Sequence, residues 1–244
     1  MDPDVPLVVP EVNPQAILKH KGIIANPNCS TIIMVMALKP IYDLAKIKRV
    51  IVSTYQAVSG AGKEGIDELD AQVRDHSEGR EMTANILPSA SAEKHYPIAF
   101  NLIPQIDVFC DNLYTKEEMK MVNETKKIME DYEMRITATT IRVPVYRSHS
   151  ESVNIELEKE VDLGAMREAL AKFPGVTVQD DPSKQEYPMP LYTSEKDDVY
   201  VGRLRRDESC EKSYNMWVVG DQIRKGAALN TLQIAETMIK NGWI

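Results

Sequence analysis

Ile32-Ile33-Met34-Val35-Met36-Ala37-Leu38 is an unbroken apolar run of good helix formers. It predicts a helix from Ser30 to about Leu44, with Pro40 bending or shortening it. Upstream, Leu7-Val8-Val9 and Gly22 to Ala25 read as short buried strands. Lys48 to Gln56 is rich in β-branched residues and reads as a strand running into the glycine-rich turn Ala57 to Gly62. Lys63 to about His76 is polar and compatible with a helix. Thr115 with Glu118 forms a capping box, which predicts a helix to Tyr132. Two strands, Arg135 to Val145 and Ser152 to Glu158, precede a helix from Asp162 to Phe173 that Pro174-Gly175 stops. Gly175 to Val178, Val199 to Arg205 and Asn215 to Val219 read as further strands. Ala227 to Asn241 closes the chain as an amphipathic helix, with Ala228, Leu232, Ala235, Met238 and Ile239 on one stripe.

This order is mixed α/β and α+β. The first quarter looks like strand–helix–strand, as in a parallel sheet. The middle alternates helices with strand pairs on short turns, which predicts a mostly antiparallel sheet covered by helices on one face. A boundary is expected near Ser59 to Lys63.

The chain has 244 residues, enough for one large domain or two small ones. Its formal net charge is -8, and no basic stripe is available to neutralise phosphates, which argues against nucleic acid as a partner. No apolar run approaches a membrane span, and the acidic, proline-rich start, Met1-Asp2-Pro3-Asp4-Val5-Pro6, lacks the pattern of a signal peptide. Cys29, Cys110 and Cys210 are odd in number and far apart, with no metal-ligand spacing. They point to free thiols in a reducing compartment, the cytoplasm.

The most informative string is Asn26-Pro27-Asn28-Cys29-Ser30-Thr31, a turn that sets Cys29 at the start of the first helix. Unpaired N–H groups and the helix dipole favour thiolate there, so Cys29 is a candidate nucleophile and is expected to be the most reactive of the three thiols. A buried structural cysteine is the alternative. A cysteine nucleophile needs a base. His149 competes with His20, His76 and His95 for that role, and the sequence alone does not choose among them. Arg142, flanked by apolar strand residues, either faces solvent or forks onto a carboxylate. Glu117 and Lys120 stand i,i+3 on the Thr115 helix, and Gln56 ends a strand. Gly60-Ala61-Gly62-Lys63 fails as a nucleotide-triphosphate loop, because Ala57 and Glu64 fall where glycine and Ser or Thr are required.

Five strings resemble the aspartate-semialdehyde dehydrogenase family, of the bacterial type. They are Pro27 to Thr31, Ser53 to Gly62, His95 to Asn101, Arg142-Val143-Pro144-Val145 with His149-Ser150, and Gly226 to Asn230. The resemblance implies NADPH-dependent reductive dephosphorylation of aspartyl-4-phosphate through a thioester on Cys29, in lysine, threonine and methionine biosynthesis. It implies His149 as acid/base, Gln56 orienting substrate and Arg142 on the α-carboxylate, with Asn28 and Lys120 at the phosphate and Glu117, also substrate-binding, in that pocket. Ser59, Gly60, Gln222 and Asn230 would meet NADP. A homodimer or homotetramer is implied, with no metal.

By the same likeness, residues 1–60 would be the remainder of a Rossmann-type NADP-binding domain, 61–220 a catalytic and dimerisation domain, and 221–244 a helix returning to the first. The family's opening G-x-x-G-x-x-G and a phosphate-binding arginine from that segment have no counterpart in these residues, and a few residues are wanting after Ile244. The chain is therefore expected to be a C-terminal part, from a truncated gene product or an internal start at Met1, that binds NADPH poorly. A non-catalytic dimerisation fragment and a relative of N-acetyl-glutamyl-phosphate reductase are the alternatives.

Overall fold

Asn28 caps the first helix, α1 (Cys29–Leu44), by accepting from the N–H groups of Ser30 and Thr31. The computed structural model describes residues 2–243. Pro40 lies inside α1 and does not end it; the missing N–H is a local loss, outweighed by the burial of nearly every α1 side chain from Ser30 to Ile41. Each fully buried Ile, Leu or Met contributes about 1.5–3 kcal/mol relative to exposure. α1 is apolar on most of its circumference because it is packed on most of it.

Six strands follow: β1 (Ile47–Gln56), β2 (Arg135–Arg142), β3 (His149–Leu157), β4 (Val176–Val178), β5 (Val199–Arg206) and β6 (Ser213–Gly220). Among the described residues they form one sheet in the order β2-β1-β3-β6-β5-β4. β1–β3, β3–β6 and β5–β6 are antiparallel; β1–β2 and β4–β5 are parallel. α1 lies over one face, flanked by α3 (Lys116–Ile128) and α4 (Leu163–Lys172), after α2 (Lys63–Ser77) beside the glycine turn. Period-two alternation makes this possible: in β1, Val50, Val52, Thr54 and Gln56 are buried, while Ile51, Ser53 and Tyr55 are only half-buried on the opposite face. On that opposite face Tyr55 lies 5.5 Å from Trp217 between ring centroids.

Several boundaries move. Leu7 and Ala25 make a single parallel bridge, so the two upstream segments are not strands. The strand from Arg135 stops at Arg142, because Pro144 has no N–H for a ladder and restricts Val143. The following strand begins at His149, earlier than Ser152, and the Thr115 helix ends at Ile128 with Glu130 at φ 52°. A short helix, α5 (Pro190–Thr193), precedes β5, and α6 (Leu229–Asn241) is entered through one π-helical turn, Arg224–Ala228. β1 pairs on both sides with strands beyond residue 60, so the sheet spans the expected 60/61 division. Ile234 of α6 packs with Val8, Ala16 and Ile17, which joins the last helix to the first segment. Residues 1 and 244 of the expected domains lie outside the described residues. Among the described residues no helix is long and apolar enough to cross a membrane, and no group of three or more His, Cys, Asp or Glu is placed to hold a metal ion.

Candidate active site

Arg142, Gln56 and His149 are neighbours because three strands place them there. Gln56 is the register partner of Arg142, Tyr55 that of Ser150, and His149 that of Gly220. The three side chains therefore end adjacent strands in one row, on the face that α1 covers. All are buried. α1 approaches β6 at this end so closely that a Cβ on Gly220 would stand 2.9 Å from Ile33.

Burial and one backbone contact set the state of His149. Its Nδ1 accepts from the Ala57 N–H at 3.1 Å, so the ring proton sits on Nε2, which has no partner among the described residues. Desolvation and the Arg142 guanidinium hold it well below the ordinary value of 6.5, so the ring is neutral. Arg142 donates from Nη1 to the Ala57 carbonyl at 2.7 Å, while Nε has no partner among the described residues. Both groups face Gly60. A Cβ there would lie 2.7 Å from Arg142 Nη1 and 3.3 Å from His149 Nε2, so the glycine keeps the space above them open.

Cys29 begins α1 beside Arg142 and Glu117, with the π-helical turn against it: a Cβ on Gly226 would meet Cys29 Cβ at 3.0 Å. Its thiol is pushed up to about 12, first by burial and then by the Glu117 charge, against the pull of Arg142 and of the Ser30 hydroxyl and N–H. Burial thus works against the resting thiolate that the helix N-terminus favours. Asn28 Oδ1 shares the helix-end donors, accepting from Ser30 and Thr31 N–H at 3.1 and 3.2 Å.

α3 supplies the acidic wall. Glu117 accepts from Asn28 Nδ2 at 2.9 and 3.0 Å and from Gln56 Nε2 at 3.1 Å. Lys120 reaches Glu117 at 3.6 Å and Asp107 at 3.4 Å. Asn28, expected at a phosphate, has its side chain committed on both ends.

The residues expected at NADP divide. Ser59 and Gly60 lie in the turn beside Arg142 and His149. Gln222 donates to Ser59 Oγ and accepts from the Ser148 N–H at 2.9 Å, which fixes that turn. Asn230 is fully buried and spent: it donates to Val8 O and Asn26 Oδ1 and accepts from Lys225 Nζ at 3.1 Å. Lys225 also reaches Glu11 at 2.5 Å. Asn230 is a structural link here.

Sequence reasoning missed three residues. Glu124 accepts from the Asn28 N–H; its spacing from Glu117, i,i+7, would have placed it on the same helix face. Glu151 stands two residues beyond His149, so strand period puts it on the same face, fully buried. Lys225 had no local signal.

A helix-covered mixed sheet that carries a cysteine at a helix N-terminus, beside a buried arginine and a neutral histidine, has the form of a thiol-based covalent catalyst. Residues 38–225 match the family described as semialdehyde dehydrogenase, dimerisation domain. The chain is 56% identical over 246 residues to aspartate-semialdehyde dehydrogenase of Aquifex aeolicus, covering 100% of this chain and 71% of that protein. The Bacillus subtilis enzyme is 52% identical, covering 98% and 70%. The crystal structure of aspartate semialdehyde dehydrogenase II complexed with ASA from Vibrio cholerae superposes with a TM-score of 0.91 at 47% identity, covering 98% of this chain and 69% of that one. The Candida albicans enzyme with NADP gives 0.72 at 25% identity, covering 99% and 68%. This chain belongs to the aspartate-semialdehyde dehydrogenase family.

Proposed function

We propose that this chain carries the catalytic site for NADPH-dependent reductive dephosphorylation of L-aspartyl-4-phosphate to L-aspartate 4-semialdehyde. The observation that supports it most is the row Arg142, Gln56, His149 beneath the cysteine that starts α1. Cys29 Sγ attacks the acyl carbon as the bond from that carbon to the phosphate oxygen breaks; the thiol proton leaves on the departing phosphate and a thioester remains. His149 can donate from Nε2 and cannot accept there in its resting tautomer, so it first serves as an acid toward oxygen negative charge. Arg142 binds the α-carboxylate with its free guanidinium edge, and Gln56, held by Glu117, orients the acyl group. Lys120 supplies local positive charge for phosphate, and Asn28 serves there only if its Glu117 contact opens.

The residues fit a nicotinamide cofactor at one place, the gap at Gly60 that a Cβ would fill. Ser59 and Gly60 would hold it, and NADPH when bound supplies hydride. Gln222 fixes the Ser59 turn and Asn230 the nucleophile turn. The half-buried sheet face with Tyr55 and Trp217 suits pairing of two copies into a homodimer, or a homotetramer built from it. The reaction would run in the cytoplasm, where thiols stay reduced.

Acylation needs no cofactor, so intact-mass and peptide mass spectrometry after mixing with aspartyl phosphate tests the reading. An aspartyl adduct on Cys29, absent from Cys29→Ser, is expected. No adduct would favour a non-catalytic dimerisation fragment. Preferential acylation by N-acetyl-glutamyl phosphate would favour the reductase of that substrate.

A further inference from the structure

We propose that Glu124 is a positioning residue for the nucleophile turn: its carboxylate holds the backbone of Asn28 and thereby aims Cys29. This rests on the reading of Cys29 as the nucleophile. Glu124 Oε2 accepts from the Asn28 N–H at 2.8 Å, and the residue is 7% exposed. Among the described residues no lysine or arginine stands within ion-pair distance of it. Its Oε2 is spent on the main chain one residue before the cysteine, and the Thr31 hydroxyl lies against the same carboxylate.

The geometry explains why that bond matters. α3 presents Glu117 and Glu124 two turns apart on one face. Glu117 takes the Asn28 side chain and Glu124 takes its backbone, so one helix grips the residue from two sides. The remaining Asn28 acceptors run into α1, through Oδ1 to Ser30 and Thr31 and through the carbonyl to Ile32. Asn28 sits at φ -59° and ψ 142°, outside helical values, and those angles set where the helix starts and where the Cys29 Cα–Cβ bond points. Pro27, on the other side, has no N–H with which to anchor the turn. Glu124 is thus the tie between the turn's backbone and α3. A charged acceptor suits this, since bonds to carboxylate are shorter and stronger than neutral ones, and removing it strands a buried N–H.

The test uses the ¹⁵N-labelled chain and two variants, Glu124→Gln, which keeps an acceptor oxygen, and Glu124→Ala, which removes it. Two quantities are read: amide hydrogen exchange at residue 28, and iodoacetamide alkylation of Cys29 with Cys110 and Cys210 as internal standards. In Glu124→Ala, amide 28 should exchange about tenfold faster. Cys29 should alkylate about tenfold faster as the turn releases the thiol from burial, with the other two cysteines unchanged. Glu124→Gln should keep both within about twofold of wild type. Should Glu124→Ala fail to fold, amide 28 in Glu124→Gln decides: retained protection supports the role and lost protection overturns it. Wild-type values in Glu124→Ala would also overturn it. Neither readout needs aspartyl phosphate, so a failed acylation would count against the proposed function and leave this inference standing.

Discussion

Glu151 should make the protein less stable as pH rises, and a single substitution should remove that slope. The residue lies on β3 between Thr54 and Val218, fully buried, and neither carboxylate oxygen has a hydrogen-bond partner among the described residues. Desolvation, and then the Glu117 charge, hold its pKa well above the ordinary 4.5. The folded state therefore keeps a proton that the unfolded chain has released, and unfolding loses that proton. Stability is unaffected below 4.5, falls from there as pH rises, and levels off only above the folded value. The slope in that window is about 1.4 kcal/mol per pH unit. Glu151→Gln keeps the shape and cannot ionise. Urea unfolding followed by tryptophan fluorescence, at half-unit steps from pH 4.5 upward, should show the variant gaining on wild type at that rate until the difference plateaus. Taking the difference cancels His149, whose depressed pKa gives stability that is present above 6.5 and is lost as pH falls. A difference that stays flat with pH would refute the reasoning, since it would mean Glu151 ionises alike in both states.

Asn28→Ala should cost about 0.5–2 kcal/mol in urea unfolding from the lost cap, and Asn28→Asp, which keeps the cap but faces Glu117, should recover only part of it. At pH 7.5, with no substrate, alkylation with peptide mapping should label exposed Cys210 before Cys29, because burial pushes the Cys29 thiol to about 12; a faster Cys29 would contradict the geometry. Gly60→Ala should slow Cys29 acylation by aspartyl phosphate about tenfold to a hundredfold, the cost of displacing Arg142 Nη1 from the Ala57 carbonyl, with urea stability measured alongside. Fluorescence titration of the 244-residue chain with NADPH should show binding weaker than micromolar, since these residues contain no G-x-x-G-x-x-G turn to cradle the pyrophosphate.

Much of the architecture was legible because it is local. The apolar run of α1, the Thr115–Glu118 capping box and the β-branched enrichment of β1 are signals a few residues long, and each element formed. Boundaries went wrong where a neighbour decided. The strand expected to Val145 stopped at Arg142, where Pro144 denied it a ladder partner, whereas α1 ran to Leu44 as its apolar run implied, with Pro40 inside it. His149 fell ahead of the strand expected from Ser152, yet β6 gave it a partner in Gly220 and made it the first residue of β3.

The residue types of the site, a cysteine after Asn-Pro-Asn, a histidine, an arginine and a glutamine, were determined by the sequence alone. So were the caps and faces of the elements that bear them, because capping and periodicity act within a few residues. Only the tertiary structure decided that Arg142, Gln56 and His149 form one row, since strand register joins positions 56, 142 and 149. It alone decided charge and tautomer as well. Burial and Glu117 push up the pKa of a thiol that a helix N-terminus would lower, and the Ala57 N–H fixes the proton of His149 on Nε2. Desolvation and through-space charge depend on what surrounds a group in three dimensions, and residue spacing along the chain does not carry that information.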